Sequence, residues 1–144
     1  MKRNLAALSV DVVLVVVFCL IGRRSHAEAG SITGLLETAW PFLGGLAVGW
    51  VATRTFYRDK FDAGSIFPTG VFVWLSTLVV GMLLRVVSGQ GTAFSFIIVA
   101  GTVLAIFLLG WRAIRLRIAK PAGEPSPAGA ATPSSRLDLR RRRP

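Results

Sequence analysis

Three ionisable side chains lie inside apolar runs of the sequence, where a charge is costly. They are Asp11, Glu37 and Arg85. A charged group at the centre of a membrane-spanning helix costs about 2.5–3.5 kcal/mol on insertion scales, so such a group usually pairs with another charge or lines a polar path. Two interpretations of Asp11 stay open: a proton or cation site, or an ion pair with Arg54 or Arg112.

Glu37 and Arg85 fall at similar depth near the same end of two antiparallel segments, which predicts an ion pair between them. That pair either fixes the register of the helices or forms part of a polar mouth that receives an anionic ligand. The candidate residues for a polar or solute site are Asp11, Arg23, Arg24, His26, Glu28, Glu37, Arg85 and Gln90.

Signatures of catalysis are missing from the sequence. Ser25 and His26 adjoin in a polar segment, but no nucleophile elbow, zinc-protease motif or phosphate loop occurs. The only histidine is His26 and the only cysteine is Cys19, which leaves little basis for a metal site. We therefore expect no catalytic residues, no metal and no cofactor, and we predict that the protein is not an enzyme.

The surrounding sequence is that of a membrane protein. The 144 residues are 53% hydrophobic, with a mean hydropathy of +0.61. About 20 apolar residues are needed to cross a bilayer as a helix, and the segments that meet this length are 5–21, 34–53, 66–87 and 92–111. The expected fold is all-α, with four antiparallel transmembrane helices in a bundle over 1–118. We expect 119–144, rich in Pro, Ala, Ser and Arg, to be a disordered tail.

Positive charge predicts the orientation. Lysine and arginine are retained on the cytoplasmic side of membrane proteins. With both termini inside, that side carries Lys2, Arg3, Arg54, Arg58, Lys60, Arg112, Arg115, Arg117 and Lys120. The other side carries Arg23, Arg24 and Arg85. We therefore expect a multi-pass protein of the plasma membrane with both termini cytoplasmic.

The net charge of +10 is distributed between apolar runs and the tail rather than over a folded basic face. Anionic lipid is therefore the expected partner, and nucleic acid is not. Basic and apolar residues alternate at the end of the fourth span, which predicts that the helix continues along the membrane surface. The predicted lipid-headgroup contacts are Arg112, Arg115, Arg117 and Lys120.

Small residues mark the faces on which the spans should pack. Helices in lipid associate through close backbone approach at glycine and alanine. The residues predicted to pack in this way are Gly44, Gly45, Gly49, Gly81 and Gly101. The sequence Ser-Gly-Gln-Gly at 88–91 suits a tight reversal, so the third and fourth spans should form a hairpin.

Several segments together resemble the domain of unknown function 3054 family, small multi-span membrane proteins of actinobacteria and haloarchaea. The segments are IGRRSHAE at 21–28, AWPF at 39–42, GW at 49–50, FPTG at 67–70, GMLLR at 81–85 and SGQGTA at 88–93, together with Asp11. The resemblance covers approximately residues 5–115. It implies membrane location and a shared site region, and it implies no reaction. The polar candidates in the family-like segments are Asp11, Arg23, Arg24, His26, Glu28, Arg85 and Gln90.

Two functions follow as hypotheses. The first is binding or conduction of a small polar or ionic solute, with self-association expected because four short helices enclose little volume. The alternative is a structural or accessory subunit of a larger membrane complex, packed through its glycine faces.

Overall fold

The computed structural model describes residues 2–24, 31–58 and 61–119, with Arg24 described by its backbone alone. Four α-helices account for most of these residues: α1 Lys2–Arg24, α2 Ile32–Phe56, α3 Val71–Val87 and α4 Phe94–Ala119. All four spans are long and apolar enough to cross a membrane, the third when the turn before α3 is included. The prediction of an all-α fold with four spanning helices is confirmed. The predicted disordered tail lies outside the described residues, except for Ala119.

The helices form a closed ring. Each packs against its neighbours in the chain, and α1 packs against α4. The core between them is apolar and includes Val15, Phe42, Leu46, Val73 and Leu104, each at most 1% exposed. Hydrophobic side chains also cover the outside of the bundle. This apolar surface suits contact with lipid. In lipid, helices associate through close packing rather than through burial of apolar surface.

The closest helix contact joins α2 to α3 and has glycine on both sides. A Cβ atom added at Gly45 would lie 2.8 Å from the Ser76 carbonyl oxygen, and one at Gly49 would lie 3.0 Å from the Val73 Cα. One added at Gly81 would lie 2.9 Å from the Phe42 ring. The Ser76 hydroxyl donates to the Gly45 carbonyl at 2.9 Å. These two helices therefore approach backbone to backbone.

The other two glycines singled out in the sequence also lie at helix contacts. A Cβ at Gly44 would lie 3.0 Å from a Leu84 methyl group, and one at Gly101 would lie 3.2 Å from Leu78. The Gly101 carbonyl on α4 also accepts a hydrogen bond of 2.9 Å from the Trp74 indole on α3. Glycine thus serves the α3–α4 contact as well as the α2–α3 contact.

The third span is broken near its start, which differs from the expectation of one helix over 66–87. A wide turn, Ile66–Gly70, precedes α3, and within it Phe67 is extended, with φ −122° and ψ 134°. The following bond, Phe67–Pro68, is cis. A residue before proline is pushed out of the helical region by the proline ring, so the chain straightens at Phe67 before α3 begins.

The fourth helix continues to Ala119, eight residues beyond the predicted end of the span at 111. This agrees with the helical continuation that the alternating basic and apolar residues predict there. At its near end, Gly89 and Gly91 have φ of 74° and 68°, the left-handed conformation that glycine adopts without strain. The chain reverses there between α3 and α4, as the Ser-Gly-Gln-Gly sequence predicts.

Candidate functional site

One buried carboxylate lies near the end of the bundle where α1 begins. Asp11 is in the third turn of α1, and its side chain is fully buried. Its Oδ1 accepts hydrogen bonds of 2.8 Å from both Arg112 Nη1 and Trp111 Nε1. Its Oδ2 accepts from Arg112 Nη2 at 2.7 Å and from Trp50 Nε1 at 2.9 Å. We call these four residues the Asp11 centre.

Arg112 connects this centre to the rest of the fold. Its Nε donates to the Ala63 carbonyl at 3.2 Å, and Nη1 also donates to the Leu108 carbonyl at 2.7 Å. The guanidinium carbon lies 4.6 Å from the centroid of the Trp111 ring. The centre therefore joins α1, α2, α4 and the connection between α2 and α3.

This geometry favours the ion-pair interpretation of Asp11. A carboxylate has about four acceptor positions, and four donors occupy those of Asp11. No acceptor on Asp11 faces a cavity, since the side chain is 0% exposed. Of the two partners considered for it, Arg112 forms the pair, while Arg54 is exposed at the end of α2.

The prediction that Arg112 contacts lipid headgroups is therefore wrong. Its side chain is fully buried, because the register of α4 turns position 112 toward Asp11. Arg115 is partly buried and Arg117 is exposed. Lys120, the remaining residue of that predicted group, lies outside the described residues.

A second arginine centre lies at the opposite end of the bundle. Arg85, near the end of α3, is partly buried. Its Nη1 donates to Gln90 Oε1 at 3.0 Å, and its Nη2 to the Gly91 carbonyl at 3.4 Å. The guanidinium carbon lies 4.9 Å from the Phe96 ring centroid and 6.0 Å from that of Phe42. The Arg85 Nε atom is buried and has no hydrogen-bond partner. We call Arg85, Gln90, Phe42 and Phe96 the Arg85 centre.

The predicted ion pair between Glu37 and Arg85 is wrong. Where both partners belong to the described residues, the ion pairs are Arg112–Asp11 and a 4.0 Å contact between Arg3 and Asp62. Glu37 takes part through its backbone instead, because its carbonyl accepts a 2.8 Å hydrogen bond from Gln90 Nε2. Its side chain is exposed. The amide of Gln90 thus bridges α2 and Arg85 where a carboxylate was expected.

Arg23 lies at the same end, between α1 and α2. Its Nη1 donates to the Thr38 hydroxyl at 3.4 Å, and its guanidinium rests against Gly34, where an added Cβ would lie 2.5 Å from Nη2. The Cys19 thiol lies 4.0 Å from the Thr38 carbonyl oxygen. The other members of the predicted polar mouth lie outside what the structure describes, namely the side chain of Arg24 and all of His26 and Glu28.

A family model matches residues 8–115 of the chain, a stretch that contains both arginine centres. The chain belongs to the DUF3054 family. The description of that family is a protein of unknown function. DUF3054 membership and the four spanning helices together indicate a membrane protein and give it no reaction. No curated protein and no solved structure matches the chain.

In this DUF3054 protein the sequence interpretation missed two indole donors, Trp50 and Trp111. A buried tryptophan N–H usually needs an acceptor, and both indoles are within reach of the deepest acid. Over the ranges 2–24, 31–58 and 61–119, no three His, Cys, Asp or Glu side chains are grouped so as to hold a metal ion.

Proposed function

We propose that the protein binds small anions at the Arg85 centre. The observation that carries the proposal is the set of neutral partners of Arg85: an amide oxygen and a backbone carbonyl. A partly buried cation is stabilised best by an opposite charge. Among the residues that the structure describes, Arg85 has no ion-pair partner and its Nε–H has no acceptor.

The chemistry of the guanidinium selects the class of ligand. Arginine presents planar pairs of donors that match the oxygens of phosphate, sulfate or carboxylate. The Phe96 and Phe42 rings exclude water from one side of the group, which strengthens its interaction with an anion. An anion would gain Nη1 by displacing the Gln90 amide, whereas the buried Nε–H could be reached only if the Arg85 side chain moved.

The proposal concerns binding at one end of the bundle rather than conduction along its axis. The middle of the bundle is filled by apolar side chains such as Val15, Leu46 and Leu104. A path for an ion would therefore need to run between copies of the chain.

The orientation in the membrane follows from the distribution of positive charge. Lysine and arginine are concentrated near the Asp11 centre, which supports a plasma-membrane protein with both termini in the cytoplasm. The Arg85 centre would then face the outside.

Titration of the purified full chain with sodium phosphate and sodium sulfate tests the proposal. In detergent micelles at constant ionic strength, either anion should raise Tm in a saturable way. Arg85→Gln should abolish the shift, because it removes the cation. Arg117→Gln is the matched control, since Arg117 is exposed at the other end. An equal shift in wild type and Arg85→Gln would disprove the assignment.

A second candidate function, the accessory subunit, is supported by an apolar groove between α3 and α4. Its volume is about 510 Å³, and its lining includes Trp74, Gly101 and Ala105. The groove is apolar and leaves Ala105, a small residue, partly exposed, so we propose another transmembrane helix as its occupant. Purification in mild detergent should then yield a stoichiometric partner that Ala105→Phe removes. Recovery of the chain alone or as a self-associated species would contradict this function.

A further inference from the structure

A surface separate from the Arg85 centre carries an excess of positive charge at the opposite end of the bundle. The cations described there are Lys2, Arg3, Arg54, Arg58, Arg115 and Arg117. The Asp11–Arg112 pair is neutral, and the one other acid described at this end is Asp62. This end therefore attracts anions, and an anionic membrane surface would supply them at high local concentration.

Arg115 has a defined seat within this surface. Its guanidinium lies on the backbone of Gly64, so closely that a Cβ atom at that position would overlap it. Gly64 is held in turn, since its N–H donates to Asp62 Oδ1 at 3.0 Å and the Ala63 carbonyl accepts from Arg112. A Cβ atom at position 64 would push the flexible end of the Arg115 side chain away from this place.

No anionic partner occupies that guanidinium. In the described part of the chain, Arg115 forms neither a hydrogen bond nor an ion pair, whereas Arg112, one turn earlier on α4, has all its donor nitrogens engaged. Asp62 turns toward Gly64 and Arg3 instead. The guanidinium of Arg115 therefore lies against Gly64 with its donors available.

The position of Arg115 matches the depth of phospholipid headgroups. At about 1.5 Å per residue, it lies about 32 Å along α4 from Phe94, close to the roughly 30 Å thickness of the hydrocarbon core. Exposed apolar side chains accompany it: Ile114 and Ile118 on α4 are 62% and 79% exposed, and Phe67 in the nearby turn is 73% exposed. A phospholipid could place its phosphate at the Arg115 guanidinium and its acyl chains on these apolar side chains. A free anion would contact only the guanidinium.

We propose that Arg115, seated on Gly64, binds the phosphate of an anionic phospholipid. The proposal is independent of anion binding at Arg85. One arginine near an anionic headgroup contributes on the order of 1 kcal/mol, which corresponds to about a fivefold change in affinity. Arg117, exposed and without a seat, should contribute less.

The experiment titrates the full chain in dodecyl maltoside micelles with phosphatidylglycerol and follows Tm by circular dichroism. Phosphatidylglycerol should raise Tm, and phosphatidylcholine should not. Arg115→Gln should weaken the apparent affinity about fivefold, while the matched control Arg117→Gln and the variant Arg85→Gln should keep the wild-type response. Equal losses for Arg115→Gln and Arg117→Gln would indicate general attraction without a site and would overturn the proposal.

Two further measurements test the position of Arg115 on Gly64 and the assignment of the ligand as a lipid. Gly64→Ala keeps every charge but displaces the Arg115 guanidinium, so it should also weaken phosphatidylglycerol binding. It tests the proposal independently if Arg115→Gln fails to fold. Wild-type affinity in a folded Gly64→Ala protein would overturn the seat. In the Arg85→Gln protein, which lacks the proposed small-anion site, glycerol phosphate at matched concentration should leave Tm unchanged. A shift as large as that with phosphatidylglycerol would identify a site for soluble anions and would overturn the lipid assignment.

Discussion

Arg112 and Arg85 lie on neighbouring spanning helices at opposite ends of the bundle, and their surroundings differ. Arg112 is fully buried and pairs with Asp11 through two hydrogen bonds of 2.7 and 2.8 Å. Arg85 is partly buried, faces neutral acceptors and keeps an unpaired Nε. An arginine whose donors are all used inside the protein holds helices together. One whose charge is not neutralised by a carboxylate of the described residues is the arginine that we propose for ligand binding.

The difference arises from which side chain reaches each guanidinium. On α1 the carboxylate of Asp11 points into the ring of helices and meets α4. At the other end an acid of suitable depth exists, Glu37, but its side chain is exposed and only its backbone joins the network, through Gln90. The amide satisfies one donor of Arg85 without neutralising its charge. The net charge left at Arg85 is the basis of the anion proposal.

The largest predicted effect is at the Asp11 centre. Asp11→Asn keeps the size of the side chain but leaves Arg112 as a buried charge without a counter-ion. Breaking a buried ion pair in this way costs about 3–5 kcal/mol. Unfolding in mixed dodecyl maltoside and dodecyl sulfate micelles, followed by circular dichroism, should show that loss.

Asp62→Asn is the control for this measurement, because it neutralises the acid of the exposed Arg3 contact. An exposed pair at 4.0 Å is screened by water, so no measurable change is expected. Similar losses for the two substitutions would mean that the Asp11 centre is no more important to the fold than a surface pair.

A smaller effect is expected from the two indoles. Trp50→Phe and Trp111→Phe each remove one N–H donor to the Asp11 carboxylate while keeping an aromatic ring. A hydrogen bond to a charged group contributes about 1.5–3 kcal/mol, so each variant should lose an amount in that range in the same assay. Trp74→Phe gives the comparison with a neutral acceptor, the Gly101 carbonyl, and should lose about 0.5–1.5 kcal/mol. Equal losses at all three positions would argue against a charged acceptor.

The sequence predicts features that depend on nearby residues better than it predicts contacts between residues far apart in the chain. Apolar runs set the four helices, because lipid offers the backbone no partners, and Gly45 and Gly49 indicate the α2–α3 contact through local spacing. The partners of Asp11 and Arg85 depend on rotation of distant helices about their axes. Spacing along one helix does not give that rotation. The acid at Glu37 therefore looked like a partner for Arg85, and Arg112 looked like a lipid contact.

Phe67 is extended because it precedes Pro68, and this signal is local in the sequence. The hydropathy of the third span alone does not reveal it. The indoles of Trp50 and Trp111 show the opposite case. Nothing near them in the sequence is acidic, and their acceptor lies 39 and 100 residues away along the chain. Only the packed arrangement of the helices reveals the carboxylate they share.

Gln90→Ala should have a moderate effect at the Arg85 centre. It removes the acceptor of Arg85 Nη1 and the donor to the Glu37 carbonyl. The bond from the charged Arg85 contributes about 1.5–3 kcal/mol and the neutral bond to Glu37 about 0.5–1.5 kcal/mol. Water at this exposed turn replaces most of the loss, so a net destabilisation of about 1 kcal/mol is expected in the unfolding assay. Ser88→Ala, which removes a hydroxyl bonded to the Arg85 carbonyl, is a control from the same turn and should change less. If the anion-induced Tm shift survives in Gln90→Ala, the amide is a displaceable partner of Arg85 and not the ligand-binding group.

The smallest predicted effect on stability comes from Arg85→Gln, and it provides the sharpest form of the comparison, because Arg112→Gln makes the same change at the other centre. Losing Arg85 removes two weakly supported hydrogen bonds and a cation–π contact of about 0.5–1 kcal/mol, but it also removes a poorly paired charge from a half-buried position. These terms oppose one another, so the net change should be below about 1 kcal/mol. Arg112→Gln leaves the Asp11 carboxylate buried without its cation and should cost about 3–5 kcal/mol. Equal losses in the unfolding assay would mean that Arg85 holds the fold together as Arg112 does, and the distinction between a structural and a ligand-binding arginine would fail.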